Sequence, residues 1–161
     1  MNLCERYKCI FIIRALTKFF SMPGIRFGYG ISFNNKFLNK IRKKQNPWNI
    51  TCFAEIAVKY VLKDKDFIEK SISYIEKERT FMYENLKKCY LFHEVYSTYS
   101  NFILCKIKRI TGEELKEKLL DKGFVLRVCK DFKTLNNNYV RFAIKTRELN
   151  KNLIHALKEI N

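Results

Sequence analysis

The segment around Lys18 constrains the fold more than any other part of this chain. Residues 9–14 are mostly apolar and are typical of a buried strand. A loop follows, Pro23-Gly24 turns the chain, and residues 25–33 again have the composition of an extended segment. The pattern predicts two strands that flank a loop carrying Lys18, as in the sheet of an α/β protein.

Lys18 and Arg26 together suit an aldehyde cofactor that carries a phosphate. A lysine amine reacts with an aldehyde only when neutral, and both burial and a nearby cation favour that form. Arg26 could supply the cation, and a guanidinium matches a phosphate with two parallel hydrogen bonds. Gly24 and Gly28 would let the backbone turn and approach a ligand closely. A loop lysine is more often merely solvated, so the residues alone leave this site a hypothesis.

Residues 14–29, RALTKFFSMPGIRFGY, resemble the cofactor-lysine segment of fold-type I pyridoxal-phosphate enzymes. The similarity is to the class I/II aminotransferase branch that includes histidinol-phosphate aminotransferases and threonine-phosphate decarboxylases. It implies that Lys18 binds pyridoxal 5'-phosphate covalently and that Arg26 and Thr17 bind its phosphate. Members of this branch often have Ser or Thr where this chain has Ala15, and Thr17 keeps a hydroxyl beside the lysine.

The resemblance continues to the C-terminus through four further segments. These are Asn46–Ile50 before the interdomain helix, Ser100–Leu104 as the first strand of the small domain, and Leu126–Phe132 and Tyr139–Ile144 as later strands. By this resemblance Arg141 grips the substrate α-carboxylate. Arg127 is a second substrate-binding candidate, for the substrate's own phosphate or carboxylate.

Two details favour the decarboxylase side of the branch. Arg127, Cys129 and Phe132, followed by Leu135, resemble threonine-phosphate decarboxylases more than histidinol-phosphate aminotransferases, and so does Pro23-Gly24. The resemblance therefore implies a decarboxylase that makes aminopropanol phosphate for cobalamin assembly. Histidinol-phosphate or another class I/II aminotransferase is the alternative.

The resemblance also implies the fold class and the domains. We expect α/β architecture, as the C-terminal half of an aspartate-aminotransferase-like fold with the end of the large-domain sheet and an α+β small domain. Residues 1–50 would belong to the large cofactor-binding domain, 51–88 to the interdomain helix region and 89–161 to the small domain. Intact members of the family would be homodimers.

Most cofactor contacts in such enzymes come from before the lysine, where only seventeen residues stand here. They contain no glycine and no aspartate to pair with the cofactor's ring nitrogen, since the first aspartate is Asp64. We therefore expect the chain alone to be inactive and poorly folded, because strands of the central sheet would lose their neighbours and leave open edges.

A formal charge of +16 supports a competing interpretation, a basic module that binds nucleic acid or an acidic partner without catalysis. The lysines, however, are spread along the chain, and only residues 40–44 form a dense cluster. We interpret most of the charge as solvated surface and expect neither a nucleic-acid nor a membrane partner.

Six cysteines without a Cys-x-x-Cys pair, with only two histidines, give no framework for a metal site. They favour reduced thiols in a cytoplasmic protein. No apolar stretch has the length of a membrane span, so we expect neither a signal peptide nor a transmembrane helix.

Local patterns predict the remaining elements. We expect helices over residues 36–44, from about 53 to 88, after Thr111 as far as Gly123, and after Thr146, and strands over residues 102–107, 124–129 and 139–144. The stripe that begins with Phe53, Ile56 and Tyr60 is interpreted as core packing. Val140, Phe142 and Ile144 should share one strand face, with Arg141 on the other.

Overall fold

The structure is a computed structural model that describes residues 2–160, except for the side chain of Asn2. The chain forms two compact units, residues 1–66 and residues 67–161, which are taken in turn. The three-part division at residues 50 and 88 remains a prediction.

The first unit is built on a two-stranded antiparallel sheet. Helix α1, Asn2–Arg6, leads to strand β1, Ile12–Ala15, which pairs with strand β2, Gly28–Ile31. The two predicted extended segments are thus confirmed in part, since β1 takes the last three residues of 9–14 and Ala15, and β2 takes the middle of 25–33. Pro23–Ile25 forms a 3-10 turn. Among the described residues, β1 and β2 pair only with each other, so the sheet has the open edges that we expected.

Two helices complete this unit. Helix α2, Asn35–Lys44, matches the prediction and ends before Asn46-Pro47. Its cap is Asn34, whose side-chain oxygen accepts a hydrogen bond from the backbone N–H of Phe37 at 3.0 Å. The helix therefore begins one residue before the predicted start, with Asn34 as its cap. Helix α3, Cys52–Val61, is capped in the same way by Thr51.

The apolar stripe of α3 is not core packing in this structure. Phe53 and Tyr60 are each 74% exposed and Ile56 is 55% exposed, whereas Ala54 on the other side of the helix is buried. The prediction that these three residues pack in a core was wrong. The helix is apolar on two sides, and the first unit covers only the side that contains Ala54.

The second unit holds a four-stranded antiparallel sheet in the order β3-β4-β6-β5. The strands are β3, Phe92–Val95; β4, Phe102–Ile107; β5, Arg127–Val128; and β6, Tyr139–Ala143. The helices are α4, Lys65–Lys87; α5, Gly112–Leu120; and α6, Arg147–Lys158. The sequence patterns did not predict β3, and the strand expected over residues 124–129 has only two residues in the ladder.

The core of this unit lies between one face of the sheet and the helices. Val140, Phe142 and Ile144 are buried on that face, as their alternation predicts. Other core residues are Met82, Leu86, Ile103, Cys105, Ile107, Leu115, Leu119, Leu153 and Leu157. Because the opposite face of β6 points away from this core, it is left for polar side chains.

A buried polar network replaces part of the expected apolar face of α6. The spacing of Leu149, Leu153, Ile154 and Leu157 predicts one apolar face for α6, but Leu149 is 49% exposed, and Asn150 is buried instead. The Asn150 amide donates to Glu78 at 2.8 Å, and its oxygen accepts from the backbone N–H of Lys145 at 2.9 Å. Glu78 also accepts from Arg147 Nε at 2.9 Å. The network fixes the start of α6 to α4 and to the end of β6.

The predicted helix signals of this unit are confirmed. Thr111 and Glu114 form a complete capping box at the start of α5, and Thr146 caps α6. Gly123, after the end of α5, has φ +81°, the left-handed region that favours glycine. Four cysteines are buried, while Cys9 and Cys52 are exposed. None of the described helices is both long enough and apolar enough to cross a bilayer.

Candidate cofactor and substrate site

The loop that carries Lys18 is closed by the register of the first sheet. Ala15 stands opposite Gly28, and Leu16 N–H donates to the carbonyl of Phe27 at 3.4 Å, which extends the ladder by one step. Residues 17–26 therefore form a single connection that carries Thr17, Lys18 and Arg26. Turn hydrogen bonds hold it, including one from Met22 N–H to the Thr17 carbonyl at 2.9 Å.

Lys18 is exposed in this structure. The burial that we invoked to favour its neutral amine is therefore not found in the described residues. The physical reason is the size of the first unit, because the one small sheet and the few short helices described there leave the ammonium group exposed. The side chain is available to a ligand from solvent.

Arg26 is held in an unusual backbone conformation. Its φ is +54°, in the left-handed region, which costs a non-glycine residue about 1–2 kcal/mol. Its Nη1 donates to the carbonyl of Pro23 at 3.1 Å, which bends the side chain back over the 3-10 turn. The other guanidinium N–H groups have no partner among the described residues. Strained residues of this kind concentrate at ligand-binding sites.

The two glycines around Arg26 do different things. A Cβ on Gly28 would lie 3.0 Å from the carbonyl oxygen of Arg14 on the paired strand, so β1 and β2 approach closely there. A Cβ on Gly24 would meet nothing within 4 Å, and the φ of Gly24 is not positive. The close approach at Gly28 is thus to the chain itself, and Gly24 is not required for the turn.

These residues fit two ends of a pyridoxal phosphate molecule. The exposed Lys18 amine can reach an aldehyde, while the free guanidinium donors of Arg26 and the half-buried Thr17 hydroxyl suit a phosphate. No aspartate precedes Asp64, so this loop has no nearby carboxylate in sequence for the ring nitrogen. The loop has groups that suit the aldehyde and the phosphate of the cofactor, and residues 17–26 contain no acid that could pair with its ring nitrogen.

The second unit brings Arg127 and Arg141 together on one sheet face. They are directly opposite one another in the antiparallel β5–β6 pair, and Leu104 of β4 is on the other side of Arg141. Opposite residues of such a pair have Cβ atoms only about 4.5–5.5 Å apart. Because Val140 and Phe142 point into the core, both arginines lie on the outer face.

Each arginine has its own support. The Arg141 guanidinium carbon lies 4.6 Å from the ring centroid of Phe102, so the ring forms a platform under the cation. Arg127 Nη2 donates to Asp131 Oδ2 at 2.5 Å. Two like charges directly opposite one another destabilise a strand pair. The Asp131 carboxylate offsets only part of the repulsion between the two guanidinium groups. The arrangement therefore favours an anion beside the two guanidinium groups.

Sequence reasoning found both arginines but missed their neighbours. Phe102 was identified only as part of a strand, and Asp131 only as part of a motif. The spacing of four residues from Arg127 to Asp131 was an available signal. Cys129 lies between them in the sequence and is buried; its burial raises the pKa of the thiol, against the lowering effect of Arg141 and Arg127.

The chain matches a known family over nearly its full length. The sequence profile of aminotransferase class I and II matches residues 2–157. A candidate threonine-phosphate decarboxylase of Caldanaerobacter subterraneus is 40% identical over 159 residues, which are 98% of this chain and 42% of that protein. The histidinol-phosphate aminotransferase of Methanosphaera stadtmanae is 33% identical, over 99% of this chain and 44% of that protein.

A solved structure gives the same result in three dimensions. The histidinol-phosphate aminotransferase from Clostridium acetobutylicum superimposes with a TM-score of 0.93 and 48% sequence identity, over 99% of this chain and 48% of that one. The chain belongs to the class I and II aminotransferase family, and its fold is the α/β fold of those enzymes. It spans less than half the length of the relatives that it matches. The family depends on pyridoxal phosphate.

Proposed function

We propose that this chain provides the cofactor lysine and the substrate arginines of a pyridoxal-phosphate enzyme that acts on an amino acid or amine bearing a phosphate. The reaction that we favour is decarboxylation of threonine phosphate. Its product, aminopropanol phosphate, would serve cobalamin assembly. The relatives named as threonine-phosphate decarboxylases support this assignment by their similarity to the chain.

Each residue has a definite role in this proposal. Lys18 holds the cofactor and then moves the proton at the substrate α-carbon. Arg26 and Thr17 bind the cofactor phosphate. Arg141 fixes the substrate carboxylate, and Arg127 binds the second anionic group. Bound pyridoxal phosphate would supply the electron sink for the bond that breaks at the α-carbon.

One observation carries the choice of substrate class, namely the register that sets Arg127 opposite Arg141. Two adjacent guanidinium groups suit a phosphorylated substrate, because they can share one phosphate or bind a phosphate and a carboxylate separately. Threonine phosphate has a carboxylate and a phosphate, whereas histidinol phosphate has a phosphate and no carboxylate. With Arg141 on the carboxylate and Arg127 on the phosphate, the pair fits threonine phosphate, which supports the decarboxylase.

An aminotransferase is the second candidate. The 48% identity to the Clostridium acetobutylicum histidinol-phosphate aminotransferase favours it. The two candidates can be separated by titrating the chain with each phosphorylated compound in a calorimeter. A threonine-phosphate decarboxylase should bind threonine phosphate more tightly, and a stronger response to histidinol phosphate would favour the aminotransferase.

The cofactor assignment is tested by chemical trapping on Lys18. The chain is mixed with pyridoxal phosphate, reduced with borohydride, digested and mapped by mass spectrometry. We expect the label on the peptide that contains Lys18, and its loss from that peptide in Lys18→Ala. Lys36→Ala, which removes an exposed lysine from α2, should leave the labelling of the Lys18 peptide unchanged. Label spread evenly over the surface lysines would contradict the assignment.

Several properties of the whole enzyme belong to the same proposal. We assign residues 1–50 to the large cofactor-binding domain, 51–88 to the interdomain helix region and 89–161 to the small domain. We also propose a homodimer as the working assembly. Six free cysteines, four of them buried, support a reducing compartment such as the cytoplasm.

A further inference from the structure

A small cavity lies within the second unit, between helix α4 and the turn at residues 96–101 that joins β3 to β4. Its volume is about 160 Å³, and it is lined by Arg79, Thr80 and Tyr83 of α4 and by Ser97 and Thr98 of the turn. Each of these side chains has a polar end, and none of them is acidic. We call it the Arg79 cavity. None of the proposed cofactor and substrate residues lines it.

Arg79 is a half-buried cation without a carboxylate partner among the described residues. Its Nη1 donates to the carbonyl of Ser100 at 3.4 Å, a long hydrogen bond, and its guanidinium carbon lies 5.9 Å from the ring centroid of Tyr99. The other N–H groups of the guanidinium have no protein acceptor in the part of the chain that the structure describes. A charge held partly out of water is costly unless an opposite charge pairs with it. The guanidinium is therefore suited to an anion.

The hydroxyl groups of the cavity supply further donors. The Thr98 hydroxyl accepts from the backbone N–H two residues later at 3.0 Å, which leaves its own proton available. The hydroxyls of Ser97 and Tyr83 form no hydrogen bond to another described residue. Only Thr80 has already used its proton, which it donates to the carbonyl of Glu76 at 3.1 Å. Donors therefore outnumber acceptors around the cavity, as an anion site requires.

The single positive charge of Arg79 favours a monoanion. A guanidinium matches a carboxylate with two parallel hydrogen bonds, and neighbouring hydroxyls can donate to the same oxygens. A phosphate is better matched where two guanidinium groups are neighbours, as at Arg127 and Arg141. Tyr83 lines the cavity and the Tyr99 ring lies beside the guanidinium, so an aromatic or short apolar group joined to the carboxylate can contact a ring.

We propose that the Arg79 cavity binds a small carboxylate, which accepts hydrogen bonds from the Arg79 guanidinium and from the hydroxyls of Ser97 and Thr98. Because these groups belong to both α4 and the turn before β4, the bound carboxylate joins the two elements. Binding at this cavity uses none of the residues assigned to the cofactor or to the phosphorylated substrate. Its test therefore does not depend on which reaction the proposed enzyme performs.

Titration of the chain with benzoate, followed by NMR of the backbone amides, measures binding at this cavity. Benzamide, which has the same ring and no charge, is the matched control ligand. We expect the amides of residues 79–83 and 97–100 to shift in a saturable way with benzoate, and not with benzamide or with sodium chloride at equal ionic strength. The shifts should persist in Arg141→Gln, which lacks the arginine proposed to bind the substrate carboxylate.

Matched variants locate the carboxylate within the cavity. Arg79→Gln removes the charged donors and should weaken benzoate binding by about tenfold or more, and Ser97→Ala removes one hydroxyl and should weaken it by about threefold. Arg109→Gln is the control, since Arg109 also lies over a tyrosine ring, that of Tyr90, but does not line the cavity. It should leave the affinity unchanged. Circular dichroism checks that each variant keeps its helices, and Ser97→Ala decides the matter if Arg79→Gln does not.

Four outcomes would overturn the proposal. The first is the absence of saturable shifts at residues 79–83 and 97–100. The second is equal binding of benzoate and benzamide, which would mean that only the ring is bound. The third is equal affinity of the Arg79→Gln and Arg109→Gln variants. The fourth is loss of the shifts in Arg141→Gln, which would place the carboxylate at the proposed substrate arginines.

Discussion

At the scale of single residues, the arginine pair of the second unit has more side-chain support than the Lys18 loop of the first unit. Arg141 has a ring beneath it and Arg127 has a carboxylate beside it, so both side chains are held in place by the second unit. Lys18 is exposed, and the Arg26 guanidinium donates to a backbone carbonyl, that of Pro23. The candidate substrate residues are therefore held in place by more side-chain contacts than the candidate cofactor residues.

The arginine pair should make the second unit sensitive to multivalent anions. We expect phosphate to raise the midpoint of thermal unfolding more than chloride does at equal ionic strength, because it can neutralise both guanidinium groups at once. Arg141→Gln should remove most of this difference. The measurement is differential scanning calorimetry in the two salts.

Arg109→Gln provides the control for this prediction. Arg109 is an exposed arginine of the same unit that lies over the ring of Tyr90 and outside the β5–β6 pair. Its removal should leave the phosphate effect in place. If both variants lose the effect equally, the response reflects net charge and not a site.

At the scale of elements, local signals predicted helix ends well. Thr51, Thr111 and Thr146 each accept the backbone hydrogen bond expected of a cap, and these bonds join residues three positions apart. Strand β3 was missed because two of the four residues in its sequence, FHEV, are polar. It forms a strand because it pairs with β4. Pairing of this kind joins residues far apart in the chain, so no local pattern reports it.

The capping box of α5 should make stability depend on pH. The hydrogen bond from Thr111 N–H, assisted by the Thr111 hydroxyl, holds the pKa of Glu114 below its usual 4.5. A carboxyl whose pKa is lowered on folding stabilises the folded state above the unfolded pKa and loses that effect as pH falls through the folded pKa. We expect Glu114→Gln to lower stability at pH 7 and to reduce the loss between pH 5 and pH 3.

Denaturant unfolding across this pH range measures the effect. Glu117→Gln is the matched control, since Glu117 is exposed on the same helix and its carboxylate has no hydrogen-bond partner among the described residues. It should leave the pH profile close to that of the parent chain. A parallel shift of both variants would contradict the role given to the capping box.

At the scale of the whole molecule, buried apolar side chains are very unevenly distributed. Among the described residues, the first unit buries only Cys4, Leu16 and Ala54, while the second buries twenty-one hydrophobic residues. Burial of apolar surface is the main favourable term in folding, so the second unit should be much the more stable of the two.

Limited trypsin digestion tests this difference. We expect early cuts at lysines and arginines of residues 1–66 and a resistant fragment that begins near residue 66 and extends toward the C-terminus. Mass spectrometry over a time course identifies the fragments. Equal survival of fragments from both units would refute the expected order.

The sequence by itself determined the local features of this protein and its family. Cap residues, the alternation of β6 and the loop around Lys18 depend on neighbours within a few positions, and the family resemblance suggested the proposed roles of Lys18, Arg26 and Arg141. Only the tertiary structure decided that Arg127 stands opposite Arg141 and that Phe53, Ile56 and Tyr60 of α3 are exposed. Both depend on contacts between residues that are far apart in the sequence. An apolar stripe indicates that a helix face can be buried, but it does not indicate which segment buries it.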